Sequence, residues 1–274
     1  MAFYAEELAE VHDEGFGAVV RAAAPWILAR LATVQPDGVA RNEERDTVQA
    51  ERSRGRQAAQ PRASRPPSRG RRPLIVELGC GGGRLAQALS RRGFDVHGID
   101  ASRAFIRLAR RRVPSAKFTA GKLPRVAIPH CHAVLAVGEV VNYLTSLRDL
   151  GELLRRVHHA LVPGGVFIFD GTLPLPRATT RQRCLLSERW VVIADISERG
   201  ALLERRITTF SRRGRAWRRS TELHRQRLLT VAQWRTLLRR AGFAVEVSRG
   251  YGQHLNPRAR VFVATKMERR DDVG

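Results

Sequence analysis

Three closely spaced glycines and a later aspartate are the residues of this chain best suited to binding a ligand. Gly79, Gly81 and Gly83 follow an apolar run that ends at Leu78, as in a buried strand that breaks into a turn ahead of a helix. Without a Cβ, such glycines let backbone amides approach a ligand closely. Asp100 follows a second predicted strand about 20 residues later, where a carboxylate can accept hydrogen bonds from both ribose hydroxyls. The spacing therefore predicts a site for a nucleotide-like cofactor.

The glycine spacing distinguishes two kinds of cofactor site. A dinucleotide fingerprint is Gly-x-Gly-x-x-Gly, in which the third glycine packs the helix against the strand. Position 84 would have to be that glycine, and it is Arg84. The run from Glu77 to Gly83, Glu-x-Gly-x-Gly-x-Gly, instead resembles motif I of the class I S-adenosylmethionine-dependent methyltransferases.

Later segments of the chain follow the order of the remaining motifs of that family. Gly98-Ile99-Asp100 is similar to its acidic second motif, and Ala120-Gly121-Lys122-Leu123 to the loop beside the adenine. Residues 133–144 resemble the fourth strand and its exit, and residues 161–170 resemble the turn and the fifth strand. The resemblance spans 73–170 and is closest to a small-molecule branch with a β insertion after strand five.

This resemblance implies a fold, a cofactor and a set of binding residues. The fold is α/β, a seven-stranded Rossmann-like doubly wound sheet with a helical N-terminal extension and an antiparallel β insertion. The cofactor is S-adenosyl-L-methionine, with the glycine loop at its methionine part, the acid of the second motif at its ribose and the fourth-strand exit closing the pocket. The residues expected to bind it are Glu77, Gly79, Cys80, Gly81, Asp100, Ala101, Gly121, Lys122, Gly138 and Glu139.

Two positions depart from the family pattern. His132 stands where an Asp usually precedes the apolar run of the fourth strand, and Lys122 stands where an acidic residue usually follows the glycine of the adenine loop. Neither change touches the glycine loop or Asp100, so we expect cofactor binding to be retained. A cofactor-binding protein without catalysis stays open as an alternative.

Methyl transfer requires few catalytic side chains, because a sulfonium methyl group is already activated and attack on it depends mostly on the positions of the two reactants. Candidate catalytic residues are those that could deprotonate or orient an acceptor, namely Glu139, Tyr143 and His224. For five further residues, packing or a solvated position is the simpler interpretation: Tyr4, His12, Phe16, Tyr251 and His254. His130 and His132 flank Cys131 without an evident fourth ligand, so we expect no metal site.

The chain divides into regions of different composition. The first region, 1–34, is a helical cap, predicted as two helices broken near Gly15-Phe16-Gly17 and Pro25. The second region, 35–72, has too few aliphatic residues to form a buried core of its own. The insertion would cover the carboxyl edge of the parallel sheet as an acceptor lid. After it, Thr230 and Gln233 predict a capping box at the start of helix 231–241. The expected divisions are 1–34 for the cap, 35–72 for a flexible linker, 73–180 and 230–274 for the methyltransferase core, and 181–229 for the insertion.

The basic charge of the chain permits two classes of acceptor. The net charge is +23, and all but three of the 49 basic residues are arginines, spread along the whole chain. A GC-rich coding sequence gives such an excess of arginine over lysine, so the charge by itself does not indicate a polyanionic partner. A small-molecule acceptor is therefore the favoured interpretation. An RNA or protein methyltransferase that uses the arginine surface is the alternative, since clustered arginines bind phosphate.

The three cysteines and the apolar runs bear on location. Cys80, Cys131 and Cys184 form no CxxC pair, which favours a reducing compartment. The first residues are acidic where a signal peptide would be basic, and no apolar run approaches the ~20 residues of a membrane span. We therefore expect a cytoplasmic protein without a membrane partner, and the sequence leaves its oligomeric state open.

Overall fold

The computed structural model describes residues 6–15, 17–32, 72–251 and 256–267. Within these ranges seven strands form a mixed sheet: β1 Leu74–Leu78, β2 Asp95–Asp100, β3 Lys117–Ala120, β4 Cys131–Ala136, β5 Leu161–Thr172, β10 Phe243–Ser248 and β11 Ala259–Lys266. Their order across the sheet is β3-β2-β1-β4-β5-β11-β10. The first five are parallel, and β11 is antiparallel to both β5 and β10.

Helices cover both faces of this sheet because its strands are apolar on both sides. Along β1, Val76 and Leu78 belong to one core cluster, whereas Ile75 belongs to the other. The helices are α1 Glu6–Gly15, α2 Ala18–Leu31, α3 Arg84–Arg91, α4 Arg103–Arg112, α5 Leu147–Ala160 and α6 Val231–Arg240, with a 3₁₀ turn at Val140–Tyr143. In the described part of the chain, no helix is both long and apolar enough to cross a membrane.

The remaining strands form a second, antiparallel sheet between β5 and α6. They are β6 Thr179–Leu186, β7 Trp190–Arg199, β8 Leu202–Arg213 and β9 Ala216–Arg227, paired in that order. Alternate residues of β9 are buried, including His224 and Gln226, while Leu223 and Arg225 between them are exposed. The inner face of the insertion is therefore polar as well as buried.

Two contacts fix this insertion to the main sheet. Arg258, just before β11, forms an ion pair with the buried Glu198 of β7 at 2.7 Å. Asn142 in the 3₁₀ turn donates from Nδ2 to the carbonyl of Arg227 at 2.5 Å and accepts from the amide of Thr172 at 3.2 Å. The inner face of the insertion is thus held against the carboxyl edge of the parallel strands.

The predicted fold class is confirmed: the main sheet is Rossmann-like, with the antiparallel insertion in the expected place. Two local expectations differ from the structure. Pro25 lies inside α2 and does not break it, because its ring is on the exposed side of a helix whose Ala23, Ile27 and Leu31 are buried. The strand β6 was not anticipated, since nearly all of it is exposed and it lacks an alternating pattern. Residues 33–71, which hold most of the predicted linker, lie outside the described residues.

Candidate cofactor and acceptor site

The glycine loop after β1 is bound to the end of β2 by its backbone amides. The amides of Gly79 and Cys80 both donate to the carbonyl of Ile99, at 2.7 and 3.1 Å. The amide of Gly81 donates to Oδ2 of Asp100 at 2.9 Å. The loop and the acid therefore meet at the carboxyl ends of two neighbouring parallel strands, which is the edge where ligands bind in open α/β sheets.

Asp100 is buried, and both of its carboxylate oxygens accept hydrogen bonds. Oδ1 accepts from the amide of Ser102 at 2.8 Å, and Ser102 in turn caps α4 through the amide of Phe105 at 3.3 Å. Burial raises the pKa of Asp100 to about 6, although backbone amides, those of Ser102 and Gly81 foremost, favour the charged form. At pH 7 the carboxylate is mostly ionised and can accept further hydrogen bonds from hydroxyl groups.

Two glycines at this edge face open space. Gly81 and Gly138 have φ values of +49° and +95°, and a Cβ added to either would meet no atom within 4 Å. Gly79 differs, because a Cβ there would overlap the side chain of Val140. The absence of a side chain at Gly81 and Gly138 therefore keeps room at the ends of β1 and β4, and the room at Gly81 adjoins Asp100.

Glu77 is a buried acid just before the glycine loop, and one of its carboxylate oxygens has no hydrogen-bond partner among the described residues. Its side chain is 4% exposed, and the oxygen in question is Oε2. Burial, followed by the nearby charge of Asp100, raises the pKa of Glu77 to about 8. An orphaned polar atom beside an open glycine loop fits a polar ligand. The S-adenosyl-L-methionine that the sequence implies has such a polar end in its amino-acid part.

The residues predicted on the adenine side lie around the ends of β2 and β3. Ala101 directly follows Asp100, and the amide of Gly121 donates to the carbonyl of Asp100 at 2.8 Å. A Cβ at Gly121 would press on Val126, and the next side chain, Lys122, is exposed. The structure thus brings these predicted residues next to the acid, with the cationic Lys122 turned toward solvent.

The exit of β4 is fixed by a buried acid on β5. Asp170 accepts hydrogen bonds from the amides of Gly138 and Glu139, at 2.7 and 3.0 Å, and from the hydroxyl of Tyr251 at 2.8 Å. Burial raises the pKa of Asp170 to about 6. Tyr251, one of the lesser candidates, is therefore engaged in holding this turn.

Glu139 is the only non-glycine residue with positive φ in the described chain, at 63°, and its carboxylate joins the core to the insertion. It forms an ion pair with Arg205 of β8 at 3.0 Å. It also accepts hydrogen bonds from Thr172, Gln226 and Asn256. Burial alone would raise its pKa, but the guanidinium of Arg205 and the hydroxyl of Thr172 hold that pKa below its ordinary value. A carboxylate so stabilised is a poor proton acceptor, so these contacts suit positioning better than acid–base catalysis.

The two other catalytic candidates are in contact with each other. The hydroxyl of Tyr143 lies 3.1 Å from Nδ1 of His224, and the two rings meet edge to face with centroids 5.8 Å apart. Nε2 of His224 lies 3.1 Å from Oε2 of Glu222, two residues earlier on the same strand. His224 is 1% exposed and Glu222 9%. Sequence reasoning missed Glu222, although the alternation along β9 places it on the same face as His224.

His12 of α1 approaches the same region. Its ring packs edge to face on Phe105, with centroids 5.6 Å apart. Desolvation lowers the pKa of His12 to about 4. The charge of Asp13 raises this pKa in part, and the nearby His224 lowers it further. His12 is therefore a neutral imidazole at physiological pH, close enough to His224 to interact with it electrostatically.

The N-terminal helix is attached to the glycine loop by a cluster of charged residues that sequence reasoning missed. Asp13 forms ion pairs with Arg112 at 2.6 Å and with Arg84 at 3.2 Å. Arg112 also donates to the carbonyl of Gly82, and Arg84 to the carbonyl of Asp13 at 2.7 Å. Burial would raise the pKa of Asp13, but the two guanidinium groups lower it below its ordinary value. No local pattern signals this cluster, because its members come from three separate helices.

The remaining sequence candidates have simpler positions. His132 accepts a hydrogen bond at Nδ1 from the amide of Leu74 at 3.2 Å, so it ties the start of β4 to β1, while His130 is exposed. In the described ranges, no group of three or more His, Cys, Asp or Glu residues is arranged to hold a metal ion. Three of the lesser candidates lie outside the described residues: Tyr4, Phe16 and His254.

Comparison with known families bears on the segment that holds the glycine loop. Residues 75–165 match a family model described as a methyltransferase domain. Among curated proteins, the chain is similar to the putative methyltransferase YqeM of Bacillus subtilis (strain 168), with 26% identity over 189 residues, covering 65% of this chain and 74% of that protein. It is also similar to a ubiquinone biosynthesis O-methyltransferase of Caulobacter sp. (strain K31), with 33% identity over 104 residues, 34% of this chain and 38% of that protein.

A solved structure resembles the chain over nearly its whole length. It is an S-adenosylmethionine-dependent methyltransferase from Clostridium acetobutylicum ATCC 824, with a TM-score of 0.73 over 95% of this chain and 98% of that chain. The sequence identity is 14%, so this likeness concerns the fold.

Proposed function

We propose that this chain, which belongs to the class I S-adenosylmethionine-dependent methyltransferases, transfers a methyl group to a small-molecule acceptor. The observation that carries the proposal is the contact between the Gly81 amide and Asp100, with open space beside Gly81 and Gly138 at the same sheet edge. This arrangement presents a glycine backbone without a side chain and an ionised acid to one ligand.

When bound, S-adenosyl-L-methionine supplies an electrophilic methyl group on a positively charged sulfur. The chain's own residues then have to hold the two reactants and exclude water. Asp100 accepts hydrogen bonds from ribose hydroxyls, the backbone of the loop at Gly79–Gly81 lies against the methionine part at the open space beside Gly81, and the orphaned Oε2 of Glu77 supplies a polar partner. Gly121 and Lys122 border the adenine, and Gly138 and Glu139 close the pocket from β4.

The surfaces that border the proposed acceptor side are covered, which favours a small acceptor. The inner face of the insertion carries the buried His224 and Gln226, each 1% exposed. The helix α1 reaches the same sheet, where a Cβ on Gly15 would meet the ring of Trp190 at 3.2 Å. A small acceptor needs only a narrow opening between such surfaces, whereas a folded RNA or protein would need an open approach. The name of the Caulobacter relative points in the same direction.

Calorimetry with S-adenosylhomocysteine and a methyl-transfer assay test this proposal. We expect one bound cofactor product per chain and activity on small hydroxyl or amine acceptors that persists in 0.5 M salt, about the regime where phosphate contacts are screened. Salt-sensitive activity on RNA would instead support the nucleic-acid alternative, and tight binding without turnover on any acceptor would support a non-catalytic role.

The three free thiols Cys80, Cys131 and Cys184 suit a reducing compartment, so we place the reaction in the cytoplasm.

A further inference from the structure

We infer that the inner face of the insertion holds a binding site for an anionic group of the acceptor, a carboxylate or a phosphate, and that Arg181 and Arg183 of β6 bind it. The inference rests on the proposed methyl transfer and names the class of its substrate. That substrate is a small molecule that carries negative charge away from the atom that receives the methyl group. Both arginines bind the acceptor and take no part in the transfer itself.

Arg181 and Arg183 lie on the inner face of the insertion. Side chains alternate between the two faces of a strand, so residues 181 and 183 share a face. The strand register places Arg181 opposite Ile196 of β7, and Ile196 opposite Arg205 of β8. Ile196 is buried in the apolar cluster of the insertion, and Arg205 reaches Glu139 of the main domain. The two arginines of β6 are therefore on the side of the insertion that faces the main sheet.

This face continues to the edge of the main sheet where the cofactor site is proposed. Arg205 forms its ion pair with Glu139, which follows Gly138 at the exit of β4. Arg205 lies two strands away from Arg181, which is about 10 Å at the usual spacing of paired strands. An acceptor whose charged group lies at β6 can therefore extend toward the exit of β4, where the methyl group is expected.

Glu198 is the acid whose charge acts on Arg181, and it is already neutralised by another arginine. Its two carboxylate oxygens accept hydrogen bonds from the guanidinium of Arg258, at 2.7 and 2.8 Å. Oε1 also accepts from the amide of Leu175 at 2.6 Å. Because this carboxylate is bidentately paired, Arg181 is an additional positive charge beside a completed ion pair.

The other acids of this region are also engaged or distant. Glu139 is paired with Arg205 at 3.0 Å, and Glu222 lies on β9, three strands from β6. Within the described part of the chain, neither Arg181 nor Arg183 has a carboxylate partner. The positive charge of β6 is therefore not neutralised by neighbouring side chains.

The arginines of this face also repel one another. Desolvation, followed by the charges of Arg183 and Arg258, lowers the pKa of Arg181, and Glu198 offsets only part of this effect. An anion between the guanidinium groups would relieve the repulsion. Each guanidinium can donate two parallel hydrogen bonds to the oxygens of a carboxylate or a phosphate. Both β6 arginines are exposed on the edge strand of the sheet, so such a group can enter from solvent.

The first test measures anion binding by the whole chain without cofactor. Calorimetry with inorganic phosphate and with succinate is done in about 0.15 M NaCl, where the Debye length is about 8 Å and only close contacts persist. We expect the double variant Arg181→Gln/Arg183→Gln to weaken binding of the preferred anion about tenfold, the scale of one lost charge-assisted hydrogen bond. The anion that binds more tightly tells whether the site takes a phosphate or a carboxylate.

The matched control for this test is Arg206→Gln/Arg219→Gln, which removes the same charge from exposed positions on the outer face of the insertion. We expect the control to bind the preferred anion as the wild type does. Equal weakening in the two double variants, or a wild type that binds neither anion, would overturn the site.

The second test compares acceptors that differ mainly in charge: 3,4-dihydroxybenzoate with its neutral amide, and glucosamine 6-phosphate with glucosamine. The wild type should use the charged member of one pair with a kcat/KM about tenfold higher. The β6 double variant should raise KM for that member with little change in kcat, and the control should not. If the wild type methylates both members of each pair equally well, the anion site is wrong while the proposed function stands. A wild type that binds no S-adenosylhomocysteine removes the proposed function, whereas the calorimetric comparison still decides whether β6 binds an anion.

Discussion

The amide of Gly81 lies 2.9 Å from Oδ2 of Asp100, so the glycine loop and the acid at the tip of the next strand form one unit. Neither of these two residues belongs to the insertion or to the N-terminal helix. The proposed cofactor site is therefore built on the adjacent strands β1 and β2, each of which is hydrogen-bonded to a neighbouring strand on both sides. The proposed acceptor side is formed next to it by β9, the 3₁₀ turn and α1.

Replacing Asp100 by Asn should weaken cofactor binding. A hydrogen bond to a charged group contributes about 1.5–3 kcal/mol, so we expect Kd for S-adenosylhomocysteine to rise at least tenfold. Because the pKa of Asp100 is about 6, wild-type affinity should fall as pH drops below 6, and the Asn variant should lose the part of this dependence that Asp100 causes. Asp95→Asn, at the exposed start of the same strand, is the control. Calorimetry between pH 5 and 8 measures both effects.

Replacing Gly81 by Ala should lower both the stability of the chain and its affinity for the cofactor, and a second variant distinguishes the two effects. Gly81 and Gly200 both have positive φ, at +49° and +57°, and a Cβ at either meets no atom within 4 Å. Each Ala variant should therefore lose about 1–2 kcal/mol of stability from the left-handed backbone alone. Only Gly81→Ala should also lose affinity for S-adenosylhomocysteine, because its Cβ enters the cofactor space. Equal affinity in the two variants would place the cofactor away from this loop.

Glu77 should make the protein less stable as the pH rises. Its pKa is raised from 4.5 to about 8 in the folded state, so between these values the folded chain holds a proton that the unfolded chain has lost. Stability from this group is greatest below pH 4.5 and is lost as the pH rises toward 8. Glu77→Gln removes the ionisable group. The free energy of unfolding of this variant, measured with urea, should therefore increase relative to that of the wild type as the pH rises from 5.5 to 8.5. The exposed Glu246→Gln should show no such trend.

Asp13→Ala should loosen α1 from the glycine loop. The variant leaves Arg112 and Arg84 without their carboxylate partner. Because the pKa of Asp13 is lowered, the attachment is complete at neutral pH and weakens only in acid, as the carboxylate becomes protonated. We expect faster release of S-adenosylhomocysteine in stopped-flow measurements and earlier proteolysis near the N-terminus. Asp195→Ala, on the outer face of the insertion, is the control, and identical rates in both variants would show that α1 does not retain the cofactor.

Local sequence patterns predicted most of the fold because each element carries its own signal. The capping box at Thr230 and Gln233 is present, and the helix it begins ends at Arg240, one residue before the predicted end. Glycine spacing and the position of Asp100 gave the centre of the candidate site for the same reason. Pairings between distant elements carry no such signal. Asp13 meets Arg112 across 99 positions, and Tyr143 meets His224 across 81, so only the assembled structure shows these contacts.

The most direct test of the central claim is a crystal structure of the chain with S-adenosylhomocysteine. We expect the ribose hydroxyls on the carboxylate of Asp100, and the amino-acid part against the loop at Gly79–Gly81 with a polar contact to Glu77. A complex in which the ligand lies elsewhere, or crystals soaked at saturating concentration whose crevice holds no ligand, would contradict the account.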